Sequence, residues 1–246
     1  MSSLTVTYAR IQMIETFRIP IALVGSAFFP AASMLFFVVP FVGDDPVAAT
    51  FATASMVTFA VMTTNLFQYG VGVAEDRQQP WDPFTRALPA GALPRFAGRI
   101  LAGAALMTVS LIPVVVIAAL FTAASVSPGA LLAALGATVV MAVPFTLLGL
   151  AIGYSLPAKA AIVVAQVLFI PMAFGGGLMT PPGSAPGFVE TIAPYLPSGS
   201  AARLMWAAVG DFPLPASVVL TLVGWTVALA ALAVWAYRRD EGRRFS

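Results

Sequence analysis

Cysteine and histidine are both absent from the 246 residues. Their absence excludes disulfides, thiol nucleophiles, Cys/His zinc sites and imidazole acid–base chemistry. Lysine occurs once, as Lys159, and no stretch reads GxxxxGK[ST], so the sequence carries no phosphate-binding loop for a nucleotide. Charge is scarce: 9% of residues are charged, against about 25% in an ordinary soluble domain. The composition is 60% hydrophobic and the mean hydropathy is +0.95. So few polar side chains cannot cover the apolar surface, and the bilayer is the expected solvent. The net charge of +2 implies no nucleic-acid-binding surface.

A helix needs about 20 mostly apolar residues to cross a bilayer. Six stretches qualify: Ile21–Val42, Val47–Val73, Ile100–Ala124, Ala130–Tyr154, Ala158–Phe174 and Ala216–Tyr237. An all-α membrane protein with six spans in a single transmembrane domain over 1–246 is therefore expected. Pro30, Pro113, Pro144 and Pro171 fall inside spans. Neighbouring helices can satisfy the carbonyls a proline frees, so kinks are expected rather than breaks. "PAASM" at Pro30–Met34 resembles a cleavage site, but the apolar run continues to Val42, too long for a signal core.

The basic residues sort by loop. Arg10 and Arg18 precede the first span, Arg77, Arg86, Arg95 and Arg99 follow the second, Lys159 follows the fourth, and Arg238, Arg239, Arg243 and Arg244 follow the sixth. Only Arg203 lies on the opposite side, with Asp44, Asp45, Glu190 and Asp211. The positive-inside bias then puts both termini in the cytoplasm.

Three segments do not span. In Leu4–Arg18, Leu4, Tyr8, Ile11, Ile14 and Phe17 recur at helical spacing, with Arg10 and Arg18 between them. That pattern suits a helix in the membrane interface, or an extension of the first span. Residues 175–215, opening on Gly175, Gly176 and Gly177, are rich in Gly and Pro with apolar patches too short to cross. Short helices dipping into the outer leaflet are expected there, one of them capped by Ser200, with the three glycines as an extracytoplasmic gate. The alternative is an exposed loop. Residues 74–97 hold the compact polar stretch "AEDRQQPWDPFTRALP". Glu75, Asp76 and Arg77 end the second span. Asp82 before Pro83 reads as an N-cap with proline at the first helical position. A short cytoplasmic helix presenting Trp81, Phe84 and Leu88 follows, suited to docking a partner or to anchoring at headgroups.

No Asp, Glu, Lys or Arg stands in the middle of a span. Ion-coupled pumps usually keep such groups to carry the coupling ion. Energy, if it is used, is expected from another subunit. Thr58, Asn65 and Gln68 share about a quarter of the second span's circumference, and Gln166 lies in the fifth span. These groups serve either a translocation path or hydrogen bonds between helices.

Taken in order, these parts resemble the type-2 permease family of ATP-binding-cassette exporters. The resemblance rests on the interfacial helix, the six spans, "ED(R)" closing the second span, and a short helix ending in Thr85, Arg86, Leu88 and Pro89. It also rests on the Gly/Pro-interrupted segment and the basic tail "YRRDEGRR". The resemblance implies a coupling helix, around Asp82–Leu88, seated on a cytoplasmic ATP-binding-cassette ATPase that holds the ATP and Mg, with Glu75, Asp76, Arg77 and Trp81 in the same coupling contact and this chain holding no cofactor. It implies a second contact through the interfacial helix. It also implies pairing with a second permease, the second and fifth spans lining the path. The family's "E-[RK]-x-x-G-T-[LM]-[ED]" is replaced by "EDRQQPWDPF", so partner specificity does not carry over. The expected function is export of a hydrophobic or amphipathic substrate (drug, lipid or glycoconjugate) across the bacterial inner membrane, without an enzymatic site in this chain. The alternative is a channel or assembly factor that works without an ATPase.

Overall fold

The computed structural model describes residues 2–18, 20–80 and 92–244. Among these there is no strand. Helix α1 covers Ser2–Phe17. A helical run follows through α2 (Pro20–Ser33), a π-helical turn (Met34–Val38) and α3 (Val39–Val42). Then come α4 (Pro46–Asp76), α5 (Ala92–Phe121), α6 (Pro128–Ser155) and α7 (Ala158–Gly175). Two short helices, α8 (Gly187–Ile192) and α9 (Pro197–Val209), precede α10 (Ala216–Arg244).

Among the described residues, five helices are long and apolar enough to cross a membrane: Pro46–Asp76, Phe96–Phe121, Pro128–Ser155, Ala158–Gly175 and Ala216–Glu241. In the first apolar run the described stretch Ala27–Val42 is shorter than these. Helices α2, α5, α6 and α7 run on through Pro30, Pro113, Pro144 and Pro171. Two starts are set by a polar cap followed by proline. Asp45 Oδ1 accepts from the amides of Val47 at 2.9 Å and Ala48 at 3.0 Å. Ser127 Oγ accepts from Ala130 N at 3.1 Å. The cap satisfies amides that have no partner within the helix, and proline lacks the one donor that would be unsatisfied.

Helix α4 is the axis of the bundle. Its most apolar stretch is 72% buried, against 22–28% for the other four spans. The reason is its side chains: Ala49, Ala52, Ala54, Ser55, Thr58, Ala60, Thr63 and Thr64 are small and buried. Small side chains let neighbouring backbones come close, which drives packing where lipid removes the hydrophobic contrast. The outer helices do the opposite. Leu120, Leu132, Val139, Leu220 and Val227 stand exposed, as faces bathed in hydrocarbon require.

Helices α4 and α6 approach each other closely. A Cβ placed on Gly153 would sit 2.5 Å from Tyr69 O and 2.9 Å from Gly70 O. One on Gly149 would sit 2.8 Å from Asn65 O. Gly149 and Gly153 form a GxxxG pair, so the two helices cross backbone to backbone.

Helix α1 forms over the expected residues and packs on α5 through Tyr8 and Ala9. Ala9 is buried, and Tyr8, Gln12 and Met13 flank it half-buried, while Ile11 and Ile14 are exposed beside Arg10 and Arg18. Gly98 on α5 sets this face, because a Cβ there would lie 2.7 Å from Tyr8 Cβ.

Part of the segment 175–215 is buried in the bundle. Pro197–Ala202, Met205 and Trp206 are buried, and the last four apolar residues of that set pack with Phe59, Val61 and Met62 of α4 and Met141 and Phe145 of α6. Trp206 Nε1 donates to Ser55 Oγ of α4 at 2.9 Å. Ser200 is not the cap expected of it. Helix α9 begins earlier, with Pro197 at its first position, and Ser200 Oγ donates instead to Pro194 O at 2.9 Å.

The three glycines end α7. Gly177 takes φ +73°, the left-handed region that favours glycine. Its amide donates to Phe174 O, and that of Leu178 to Ala173 O, both at 3.0 Å. This is a Schellman stop, with Leu178 and Ala173 buried in one cluster. Gly175 faces Leu196, and Gly176 faces Ser198. Ser198 Oγ donates to Met172 O at 2.7 Å, so α9 is tied to the last turn of α7.

Candidate functional site: the polar axis of α4 and its loop-side end

The polar groups of α4 are distributed along its length. Near its start, Thr50 Oγ1 donates to Ser125 O at 3.2 Å and accepts from Ser125 N at 3.0 Å, tying α4 to the α5–α6 loop. Thr58 is fully buried, its hydroxyl donating to Ala54 O at 3.0 Å. Thr64 Oγ1 meets Ser110 Oγ of α5 at 2.9 Å. Asn65 is buried; its Nδ2 donates to Val61 O at 2.7 Å, and its Oδ1 accepts from Thr146 Oγ1 of α6 at 3.0 Å.

Of the path residues expected from the sequence, Thr58 and Asn65 thus lie inside this chain with their hydrogen bonds satisfied. Gln68 is half-buried. Gln166 is exposed on α7, beside exposed Val163, Val167 and Ile170, with no hydrogen-bond partner among the described residues.

At its other end α4 is gripped from two sides. Asp76 pairs with Arg99 of α5, which lies just past the loop. Arg77 turns inward, its side chain 16% exposed, and pairs with Asp240 of α10, whose side chain is 4% exposed. Arg77 Nε donates to Asp240 Oδ1 at 3.1 Å, and Nη1 donates to Gly153 O at 2.6 Å and Leu156 O at 3.2 Å. Those are carbonyls at the end of α6, which have no partner within the helix. One guanidinium therefore joins the ends of α4, α6 and α10 in its fork of donors.

Arg77 also lies over the Tyr154 ring, 5.9 Å from its centroid. The Tyr154 and Tyr237 rings meet at 5.1 Å, as do those of Phe96 and Tyr237. Helix α5 thereby joins the node through Phe96. The like-signed end of α4, "ED", opposes the helix dipole. Arg99 offsets this for Asp76, while Glu75 stays exposed.

The remaining coupling residues, Trp81, Asp82, Phe84, Thr85, Arg86 and Leu88, lie outside the described residues, as does the side chain of Phe17. Arg10 and Ile14 are exposed on α1, and Arg18 is exposed just past its end.

Asp240 was not singled out from the sequence, though a signal existed. Leu229, Ala233, Ala236 and Asp240 form one buried stripe at helical spacing, so an acid continues an apolar face into the core. Far from this node, burial lowers the pKa of the Arg203 guanidinium, with Glu190 opposing. Among the described residues no cluster of acids could hold a metal ion.

The sequence pattern of the ABC-2 type transporter family matches residues 4–208, from α1 to the last turn of α9. No curated protein sequence matches the chain.

Proposed function

The chain belongs to the ABC-2 type transporter family, and from that premise we propose that it is the permease of an ATP-driven exporter. It is an integral, multi-pass membrane protein and a transport subunit, and the family implies a partner ATPase. The finer reading is ours. The loop after α4 docks on that ATPase in the cytoplasm through Glu75, Trp81, Asp82, Phe84, Thr85, Arg86 and Leu88. Arg10, Ile14, Phe17 and Arg18 of α1 make a second contact. Asp76 and Arg77 hold the base of the loop.

The observation that carries this reading is that base. A loop that transmits force needs rigid roots, and here one root is fixed by Arg77–Asp240 and closed against the other by Asp76–Arg99.

Six spans fit the helical run from 20 to 42, which at about 1.5 Å per residue is long enough to cross hydrocarbon when α2, the π turn and α3 are taken together. Both termini are then cytoplasmic in the inner membrane.

The second permease seats on α7. An unpaired amide in hydrocarbon costs several kcal/mol, and Gln166 presents one to the outside of this chain, near the middle of its span. A second permease, with the path between them, supplies its partner; Gln68 lies on the same route. Residues 175–215 sit at the outer leaflet, with a gate at Gly175–Gly177. Since α9 is bonded to the end of α7, such a gate moves both helices together. The substrate is hydrophobic or amphipathic.

Affinity purification in mild detergent tests this reading. An ATP-hydrolysing subunit should accompany the chain in fixed ratio, and a reporter fused after Ser246 should read as cytoplasmic. A permease that purifies alone, with no associated ATPase activity, sinks the proposal in favour of an ATPase-independent channel or assembly factor.

A further inference from the structure

We infer that Arg77 and Asp240 are positioning residues that convert movement of the cytoplasmic loop into movement of α6 and α10. The inference rests on the permease reading above. It starts from the bonding at the node. The residue that begins the loop is bonded to two carbonyls at the end of α6 and to an acid on α10. No other described cation reaches three helices in this way. Displacing the loop root must therefore either drag the ends of α6 and α10 or break the ion pair inside the protein. Breaking it takes the guanidinium from a nearly buried carboxylate, which is costly, so dragging is favoured.

Away from the node the same helices touch the segment that precedes α10. Met141 and Phe145 of α6 pack with Ala201, Met205 and Trp206 of α9, and Trp225 Nε1 of α10 donates to Tyr195 O, between α8 and α9, at 2.8 Å. A pull at one end of α6 and α10 thus reaches α8, α9 and the loops beside them.

The chain has no cysteine, so introduced pairs label cleanly. Spin labels at Val126 and Asp211, both exposed and both at the end of the bundle away from Arg77, report the far-end separation. They are read in the complex with its co-purified ATPase, before and after trapping with ATP and vanadate. The unaltered pair should shift on trapping. In Asp240→Asn the shift should disappear, while the ATPase still co-purifies and still hydrolyses ATP within about twofold of normal. Asp240→Glu, which keeps the charge, should restore the shift. Should Asp240→Asn fail to assemble, Arg77→Lys serves instead. It keeps a cation but loses the fork that reaches both α6 carbonyls, and it should weaken the shift.

An undiminished shift in Asp240→Asn or Arg77→Lys, or no shift in the unaltered complex, overturns the inference. So does assembly that fails in both variants, because the pair would then serve folding alone. The absence of any ATPase from the unaltered preparation is a different result and overturns the permease reading instead.

Discussion

Gly153→Val is expected to abolish the folded permease. The new side chain would enter a crossing where Tyr69 O lies 2.5 Å and Val73 Cβ 2.8 Å from the first added carbon. Two of the nearest atoms are backbone carbonyls of α4, which cannot rotate away. Overpacking an ordinary core costs about 1–3 kcal/mol, and more where backbone must move. Here the helices must separate. Separation also stretches the Thr146–Asn65 bond and the bond from Arg77 to Gly153 O, each worth about 0.6–2 kcal/mol in a membrane. Together these come to about 2–7 kcal/mol, comparable with the lower part of a typical domain's stability of about 5–15 kcal/mol. Gly136→Ala is the control. It lies in the same helix, nothing lies within 4 Å of its Cβ position, and alanine there should be neutral or slightly stabilising. The check is the monodisperse yield and thermal unfolding of both variants in detergent. A Gly153→Val protein that purifies and melts like the parent would show that α4 and α6 do not cross this closely.

The second large effect concerns function alone. Asp82→Ala with Arg86→Ala should leave the protein inserted and stable, because in sequence both residues fall between α4 and α5, outside the spans. Export should fall by about tenfold or more, which corresponds to about 1.4 kcal/mol of lost coupling. Hydrolysis by the attached ATPase should continue without driving transport. The measurement pairs ATPase rate with export of a panel of hydrophobic and amphipathic compounds. Unaffected export would place the driving contact elsewhere, with α1 as the next surface to test.

The spans were legible because hydrocarbon imposes length and apolarity, and five of the expected six appear as helices long enough to cross. The family was legible from the order of parts, not from any one motif. What escaped was decided by the packing of one helix against another. The apolar stripe of α1 was legible, but not its contact with α5, where Gly98 lets Tyr8 and Ala9 come close. Ser200 had the chemistry of a cap, but Pro197 starts the helix earlier. Thr58, Asn65, Gln68 and Gln166 look alike in sequence, and only the fold separates two satisfied residues inside this chain from an exposed amide on α7. Arg77 read as a surface residue of the coupling loop. Its inward turn required knowing that the ends of α6 and α10 meet there, which no local pattern encodes. Gly149 and Gly153 passed as ordinary span glycines for the same reason.

The most direct test of the central claim asks whether the loop touches an ATPase. A photo-reactive amino acid at Phe84 is compared with one at Phe121, an exposed residue at the end of α5 away from Arg77. Irradiation of membranes should join Phe84 to an ATP-hydrolysing protein and leave Phe121 joined to none. No adduct at Phe84, or the same adduct from both positions, would contradict the account.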